Sequence, residues 1–134
     1  MPLKQIRIAF EKRLYDLDNS FETSRENLEY NPIEGTPYQY IRIVPSTPQN
    51  PTLGDSFYRE VGVCAITLCY PINEGSGDAT TKAEEIRLWF KRGTSMEQDG
   101  TIVTVNRTPT LNTAYINKDR YCLPIRIEYY ANEW

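Results

Sequence analysis

The chemistry open to this sequence is limited first by the absence of histidine among its 134 residues. Histidine is the commonest general base and metal ligand, and it activates the serine or cysteine nucleophile of many hydrolases. Its absence removes the commonest base and metal ligand and excludes Ser-His and Cys-His nucleophile pairs. We therefore expect no catalytic, cofactor-binding or metal-binding residues in this chain, and we expect that it is not an enzyme.

Two further patterns have the residue types of a ligand or catalytic site. Gly75-x-Gly77 precedes a predicted helix, where a phosphate-binding turn would lie, but Thr80 replaces the third glycine and no Lys-Ser/Thr pair follows. The close acidic pairs are Glu84-Glu85 and Asp16 with Asp18. Their spacing does not place two carboxylates across a cleft. A flexible turn and solvated helix faces are the better interpretations.

The three cysteines, Cys64, Cys69 and Cys122, form no CxxC pair and cannot all be in disulfides. Cys64 and Cys69 lie five positions apart in a predicted strand, so their side chains point to opposite faces and cannot pair with each other. Buried reduced thiols in a cytosolic protein are the expected state.

Charge and hydropathy restrict the partners. Lysine and arginine total 15 against 18 acidic residues, for a net charge of −3, and neither half of the chain is a basic arm. Binding to a nucleic-acid backbone would need a clustered positive patch. No apolar run approaches the length of a membrane helix, so we expect no membrane association.

The predicted elements follow the order α-β-β-α-β-β in one domain over residues 1–134. Apolar residues from Leu3 to Leu17 recur at helical spacing, and Ala79 to Phe90 form a second apolar stripe. Strands are predicted at 38–44, 58–70, 101–105 and 121–130. The segments 18–37 and 106–120 have no period, although 28–30 could form a short strand. The expected fold is therefore α+β, with an antiparallel-rich sheet of about four strands and two helices on one face.

Two features of the predicted strands bear on association. The strand at 58–70 has apolar residues on both faces, which favours a central strand covered on both sides or covered on one side by a neighbouring subunit. Pro124 predicts an edge or a bulge for the last strand. Ten of the 16 aromatic residues are tyrosines. Core packing accounts for most of them, and interface use of at least three is the alternative.

A succession of short signals runs from about residue 5 to residue 130. It comprises Phe10 and Leu14, Glu26-Asn27, Tyr30-x-Pro32, Gly35, Tyr38-x-Tyr40, Thr52-Leu53-Gly54, Gly62, Tyr70-Pro71, Gly75-x-Gly77, Ala83-Glu84-x-Ile86, Phe90 and Pro124-Ile125-x-Ile127-x-Tyr129. In this succession the sequence resembles the tail-terminator-like family of tailed bacteriophages, relatives of the lambda-type minor tail protein. Family members often have Trp at the position of Tyr129.

The resemblance implies a structural virion protein, assembled in the host cytoplasm, that forms a hexameric ring on the end of the tail tube. Such a ring ends tube polymerisation and presents a surface for the neck connector, while DNA passes through its lumen without specific binding. The alternatives are a head-completion or connector protein of the neck, and a small cytosolic ligand-binding or enzymatic domain.

Loops and aromatic positions supply the candidate residues for contacts between subunits or between rings. The segment 45–57, between two predicted strands, and the irregular segment 106–120 are candidates because binding residues concentrate on loops. The predicted interface residues are Thr47, Gln49, Asn50, Leu53, Tyr58, Arg59, Thr110, Leu111, Tyr115, Tyr130 and Trp134.

Overall fold

A computed structural model of the chain describes residues 2–19, 21–26, 35–50, 58–72 and 77–133. Within these ranges the chain forms two helices and eight strands. The elements are α1 (Pro2–Leu17), β1 (Glu22–Arg25), β2 (Tyr38–Pro45), β3 (Tyr58–Pro71), α2 (Gly77–Trp89), β4 (Ser95–Gln98), β5 (Thr101–Val105), β6 (Thr110–Leu111), β7 (Tyr115–Asn117) and β8 (Arg120–Glu133).

All eight strands join one mixed sheet, whose main order is β1-β2-β3-β8-β5-β4. The pair β1–β2 is parallel, and the other paired strands are antiparallel. β3 and β8 have 14 residues each and pair along their whole length. The other edge of β8 is covered in succession by β7, β6 and β5. The sheet is thus organised around the β3–β8 pair.

The expectation of about four strands in the order α-β-β-α-β-β was wrong, since the fold is mostly β and only its α+β character was partly right. The four expected strands correspond to β2, β3, β5 and β8, and the structure adds β1, β4, β6 and β7. These added strands have two to four residues each, too few to produce an alternating pattern. Their neighbours supply the hydrogen bonds that hold them extended. The strand suggested at 28–30 lies outside the described residues.

Both helices contribute to one apolar core, which lies against one face of the sheet. Ile6, Phe10 and Leu14 of the predicted α1 stripe are buried, its ends Leu3 and Leu17 are partly buried, and the alternating residues of β3 and β8 meet the stripe. Phe10 of α1 lies between Phe90, at a ring-centroid distance of 5.7 Å, and Tyr129 of β8, at 5.5 Å. Aromatic contacts at these distances stabilise the packing beyond the area that they bury.

The two helices are also joined by polar contacts. The Arg13 guanidinium donates from Nη2 to the Trp89 carbonyl oxygen at 2.8 Å, and Trp89 Nε1 donates to the Arg13 carbonyl oxygen at 2.8 Å. This places a cation at the C-terminus of α2, where the helix dipole favours it. Lys82, which is buried, forms an ion pair of 3.0 Å with Asp18. The relative position of the helices is therefore fixed by specific bonds as well as by packing.

Pro124 lies inside a strand with partners on both sides, so the predicted edge or bulge was wrong. Its Cα partner on β3 is Thr67, within a register that runs unbroken from Tyr58 to Pro71. On the other side β7 pairs as far as Cys122 and β6 begins its pairing at Ile125. Proline lacks an N–H group. It is accommodated because it stands where β8 changes from one short partner to the next.

Candidate assembly surface

The sheet has a second face, opposite the core, on which the described residues place no helix. Because side chains alternate along a strand, every second residue of β2, β3 and β8 points to this side. We call this surface the open face. It consists of Tyr38, Tyr40, Arg42, Val44, Val61, Val63, Ala65, Thr67, Cys69, Cys122, Pro124, Arg126, Glu128 and Tyr130.

The middle of the open face is apolar and partly exposed. Val63 and Ala65 of β3 are half-buried, whereas their neighbours Cys64 and Ile66 are fully buried in the core. A groove of about 270 Å³ runs over this region, between β2, β3 and β8. The expectation that β3 is central is confirmed. One of its faces is covered by the two helices, and no helix of the described ranges lies on the other.

Two arginines border this apolar strip. Arg42 and Arg126 are the Cα partners of Ala65 on its two sides, so the three residues form a row across β2, β3 and β8. Both arginines are exposed. The described ion pairs of this face include Arg107 Nε with Glu128 Oε2 at 3.7 Å. The open face thus combines apolar area with guanidinium groups that can bind carboxylates or carbonyl oxygens.

Several predicted interface residues come together where β3 begins and β8 ends. Gln49 and Arg59 exchange backbone hydrogen bonds of 2.8 and 2.7 Å. The Arg59 guanidinium lies 5.0 Å from the centre of the Tyr130 ring and donates from Nε to Asn132 Oδ1 at 2.8 Å. Tyr58 begins the same strand and is half-buried. This cluster holds one predicted loop against the edge of the open face.

Other predicted residues lie elsewhere or outside the described ranges. Thr47 and Asn50 are exposed in the loop after β2. Leu53 and Trp134 lie outside the described residues. Thr110, Leu111 and Tyr115 belong to β6 and β7, along the far edge of β8. Leu111 packs against the core, whereas Tyr115 is 48% exposed.

The sequence pattern did not identify Arg42, Val44, Val63, Ala65 and Arg126 as surface candidates. The signal was present in the apolar residues on both faces of the strand at 58–70. It could not be assigned to residues, because the choice of covered face depends on which side the helices pack.

Four described tyrosines have a raised pKa, two in the core and two beside the cavity on the open face. Tyr129 and Tyr70 are buried in the core, and burial raises the pKa of each to about 12. On the open face, burial and the neighbouring Cys69 raise the pKa of Tyr38 to about 12. Burial also raises the pKa of Tyr115. These phenols are therefore neutral hydrogen-bonding and packing groups at physiological pH.

The remaining candidates for chemistry are not brought together. Gly77 begins α2 with Asp78 in its first turn, and Gly75 lies outside the described residues. Glu84 and Glu85 are exposed on α2, as expected. Among the described residues, no three His, Cys, Asp or Glu side chains cluster in a way that could hold a metal ion. Neither described helix is long and apolar enough to cross a membrane.

The described residues thus form a sheet with helices on one face and an apolar, arginine-bordered surface on the other. Comparison with known proteins gives the family. The model of the phage tail terminator protein family matches residues 5–129. This chain belongs to that family, which is structural, and its role is accordingly a structural one in a phage tail.

A comparison of structures agrees on the fold. One solved structure superposes with a TM-score of 0.79 at 24% sequence identity, over 100% of this chain and 97% of the other. At this identity the likeness concerns the fold alone. No curated protein matches the sequence.

Proposed function

We propose that the chain forms a homo-oligomeric ring, with six subunits, that caps the tail tube and stops its polymerisation. The exposed side of the ring then provides the attachment surface for the neck connector. Its partners are copies of itself, the tail tube protein and a neck protein, and its location is the tail or neck of a virion assembled in the host cytoplasm. The open face is the observation that carries this proposal.

The physical support comes from the composition of that face. Val44, Val63 and Ala65 keep part of their apolar area in water in the isolated chain. Covering such area is favourable by about 25 cal/mol per Å², and a stable interface typically covers about 800 Å² per partner. Arg42 and Arg126 would bind acidic or carbonyl groups of a neighbour. A second subunit with net charge −3 supplies such groups.

The same charge suits passage of DNA through the ring. Six copies, each with a net charge of −3, would carry about −18. A lumen of that sign repels the phosphate backbone, so DNA would slide through without specific binding. Lysine substitutions of acidic lumen residues should then slow DNA ejection, whereas normal packaging and ejection by such variants would contradict this part of the proposal.

The assembly can be tested with one matched pair of variants. Val63→Lys places a charge in the apolar strip, beside its cross-strand partner Glu128, which can pair with it in the monomer. Leu88→Lys makes the same change on α2, where Leu88 is 72% exposed. Light scattering and negative-stain images should show rings for the parent chain and for Leu88→Lys, and subunits for Val63→Lys. Rings formed equally well by Val63→Lys would exclude the open face as the interface.

Capping is tested on polymerising tail tube protein. The parent chain should shorten the tubes, and Val63→Lys should leave their length unchanged. In infected cells, deletion of the gene should give overlong or unjoined tails. Tails of normal length beside heads that leak DNA would instead indicate a neck connector.

A further inference from the structure

Cys69 of β3 and Cys122 of β8 lie directly opposite each other across the longest strand pair of the sheet. Their Sγ atoms are 2.8 Å apart, and both thiols are free in this structure. The third cysteine, Cys64, is on the other face of β3, buried in the core. The fold therefore creates one pair of thiols from positions 53 residues apart.

The register places this pair at the kind of position that accepts a disulfide. The Ile72 N–H donates to the Asp119 carbonyl oxygen, and the Val61 carbonyl oxygen accepts from Ser46 of the loop after β2. Hydrogen bonding alternates along an antiparallel strand, so the odd-numbered residues of β3 bond toward β2 and the even-numbered ones toward β8.

Cys69 and Cys122 are accordingly a non-hydrogen-bonded pair. Such pairs have Cα atoms about 4.5 Å apart, within the span of roughly 4.4–6.8 Å that a disulfide bridges. The unbroken register around them gives no bulge that would turn the side chains away. A disulfide can thus form here without a shift of either strand.

The pair lies beside a cavity that a small reagent can enter. The cavity has a volume of about 210 Å³ and is lined on the open face by both cysteines, with Tyr38 and Tyr115. Its outer wall, β7, is a three-residue strand whose side chains are exposed. Cys69 is 5% exposed and Cys122 is 1% exposed. Cys69 is therefore the more exposed residue of the pair.

We propose that Cys69 and Cys122 are an oxidation site, at which a peroxide converts the two thiols into a disulfide between β3 and β8. The Cys69 sulfur attacks one peroxide oxygen, the O–O bond breaks, and a sulfenic acid and one water form. The Cys122 sulfur then attacks Cys69, the S–O bond breaks, and a second water leaves. The two thiols lose two electrons and two protons, and hydrogen peroxide is reduced to two waters.

The rate of this reaction depends on the groups around the two thiols and on the redox state of the compartment. Burial, together with the neighbouring Cys69, raises the pKa of Cys122 to about 12, although Arg120 acts in the opposite direction. From β2, Tyr38 and Tyr40 line the same cavity, and Tyr115 lines it from β7. The thiolate is the reactive form, so the raised pKa makes the oxidation slow. In a reducing cytoplasm the cellular reductants keep the pair reduced.

The cross-link would stabilise the subunit. It closes a loop between the two longest strands, and a loop of this length should raise Tm by about 10 °C. Formation of the disulfide does not depend on the proposed function.

The test uses the purified full-length chain, whatever its oligomeric state. Folded protein is treated with hydrogen peroxide, remaining thiols are alkylated under denaturing conditions, and the products are mapped by mass spectrometry. The expected product has one alkylated cysteine, Cys64, and a peptide link between Cys69 and Cys122 within one chain. A thiol reductant should restore three alkylated cysteines and reverse the rise in Tm.

Two variants sharpen the result. Cys64→Ala should still form the link, and Cys122→Ser should lose both the link and the peroxide-dependent rise in Tm. Three free thiols after treatment, a link to Cys64, or a link between chains would overturn the proposal. The peptide map of the peroxide-treated parent chain tests the proposal even if a variant fails to fold. A failure to form rings would contradict the proposed function and leave this result standing.

Discussion

The ring of Tyr129 on β8 occupies the space above Gly62 on β3 that a side chain at position 62 would fill. A Cβ atom on Gly62 would lie 2.6 Å from the Tyr129 hydroxyl oxygen and 2.7 Å from the Val44 carbonyl oxygen. The two residues are Cα partners in the β3–β8 register. Gly62 is therefore required by the close approach of an aromatic ring and of the neighbouring backbone.

We expect Gly62→Ala to lower the free energy of unfolding by about 1–3 kcal/mol, because the added methyl group overpacks this site. The carbonyl of Val44 belongs to a paired strand and cannot move freely. Urea unfolding measures the effect. Gly77→Ala is the matched control, since a Cβ there meets nothing within 4 Å. An equal loss in both variants would contradict the steric explanation.

Tyr129→Phe should not destabilise the protein, and a gain of up to about 1 kcal/mol is expected. The Tyr129 hydroxyl is buried, and no hydrogen-bond partner for it is found among the described residues. Removing it also removes the nearest of the three atoms that oppose a Cβ at position 62. In a double-mutant cycle, Tyr129→Phe should therefore recover part of the loss caused by Gly62→Ala. If the changes in the free energy of unfolding of the two single variants simply add in the double variant, the two residues do not interact.

Stability should fall as the pH rises from 10 to 12. Burial raises the pKa of Tyr70 and of Tyr129 from 10 to about 12. Between these values the unfolded chain has lost phenolic protons that the folded chain keeps. The folded state then binds more protons, so its stability decreases with increasing pH. Unfolding curves at successive pH values measure this decrease, and it should be smaller in Tyr129→Phe than in the parent chain.

Glu26 continues the edge of the sheet beyond the end of β1. Its Oε1 accepts the Ile43 backbone N–H at 2.7 Å, and its Oε2 lies 2.7 Å from Arg7 Nη2 on α1. Glu26→Ala removes the acceptor of the Ile43 N–H and should cost about 1–3 kcal/mol.

Glu26→Gln keeps an acceptor oxygen and loses only the partly exposed ion pair, so it should cost less than about 1 kcal/mol. Thermal unfolding of the two variants side by side measures the difference. Equal losses would mean that the ion pair, and not the backbone hydrogen bond, is the important contact.

The sequence correctly predicted those elements that have a periodic pattern of their own. The apolar spacing of Ile6, Phe10 and Leu14 predicts α1, and the alternation in β3 and β8 predicts the two longest strands. The short strands β1, β4, β6 and β7 have no such pattern. They are extended because longer strands lie beside them, which is a property of the neighbours.

The candidate surface was predicted only in part, for the same reason. Loop and aromatic positions in the sequence predicted Arg59, Tyr115 and Tyr130 as interface residues, but they did not predict the middle of the open face. Val63 and Cys64 are both apolar and adjacent, and only the packing of the helices decides that Val63 faces outward.

By itself the sequence determined the positions of two helices and four strands, the lack of histidine chemistry, and a resemblance that the family comparison confirms. Those properties depend on residue types and local spacing. Only the tertiary structure decided which face of the sheet stays open, that Pro124 lies inside the sheet, and that Cys69 stands opposite Cys122. Register and the side on which helices pack join residues far apart in the chain, and local periodicity contains no information about either.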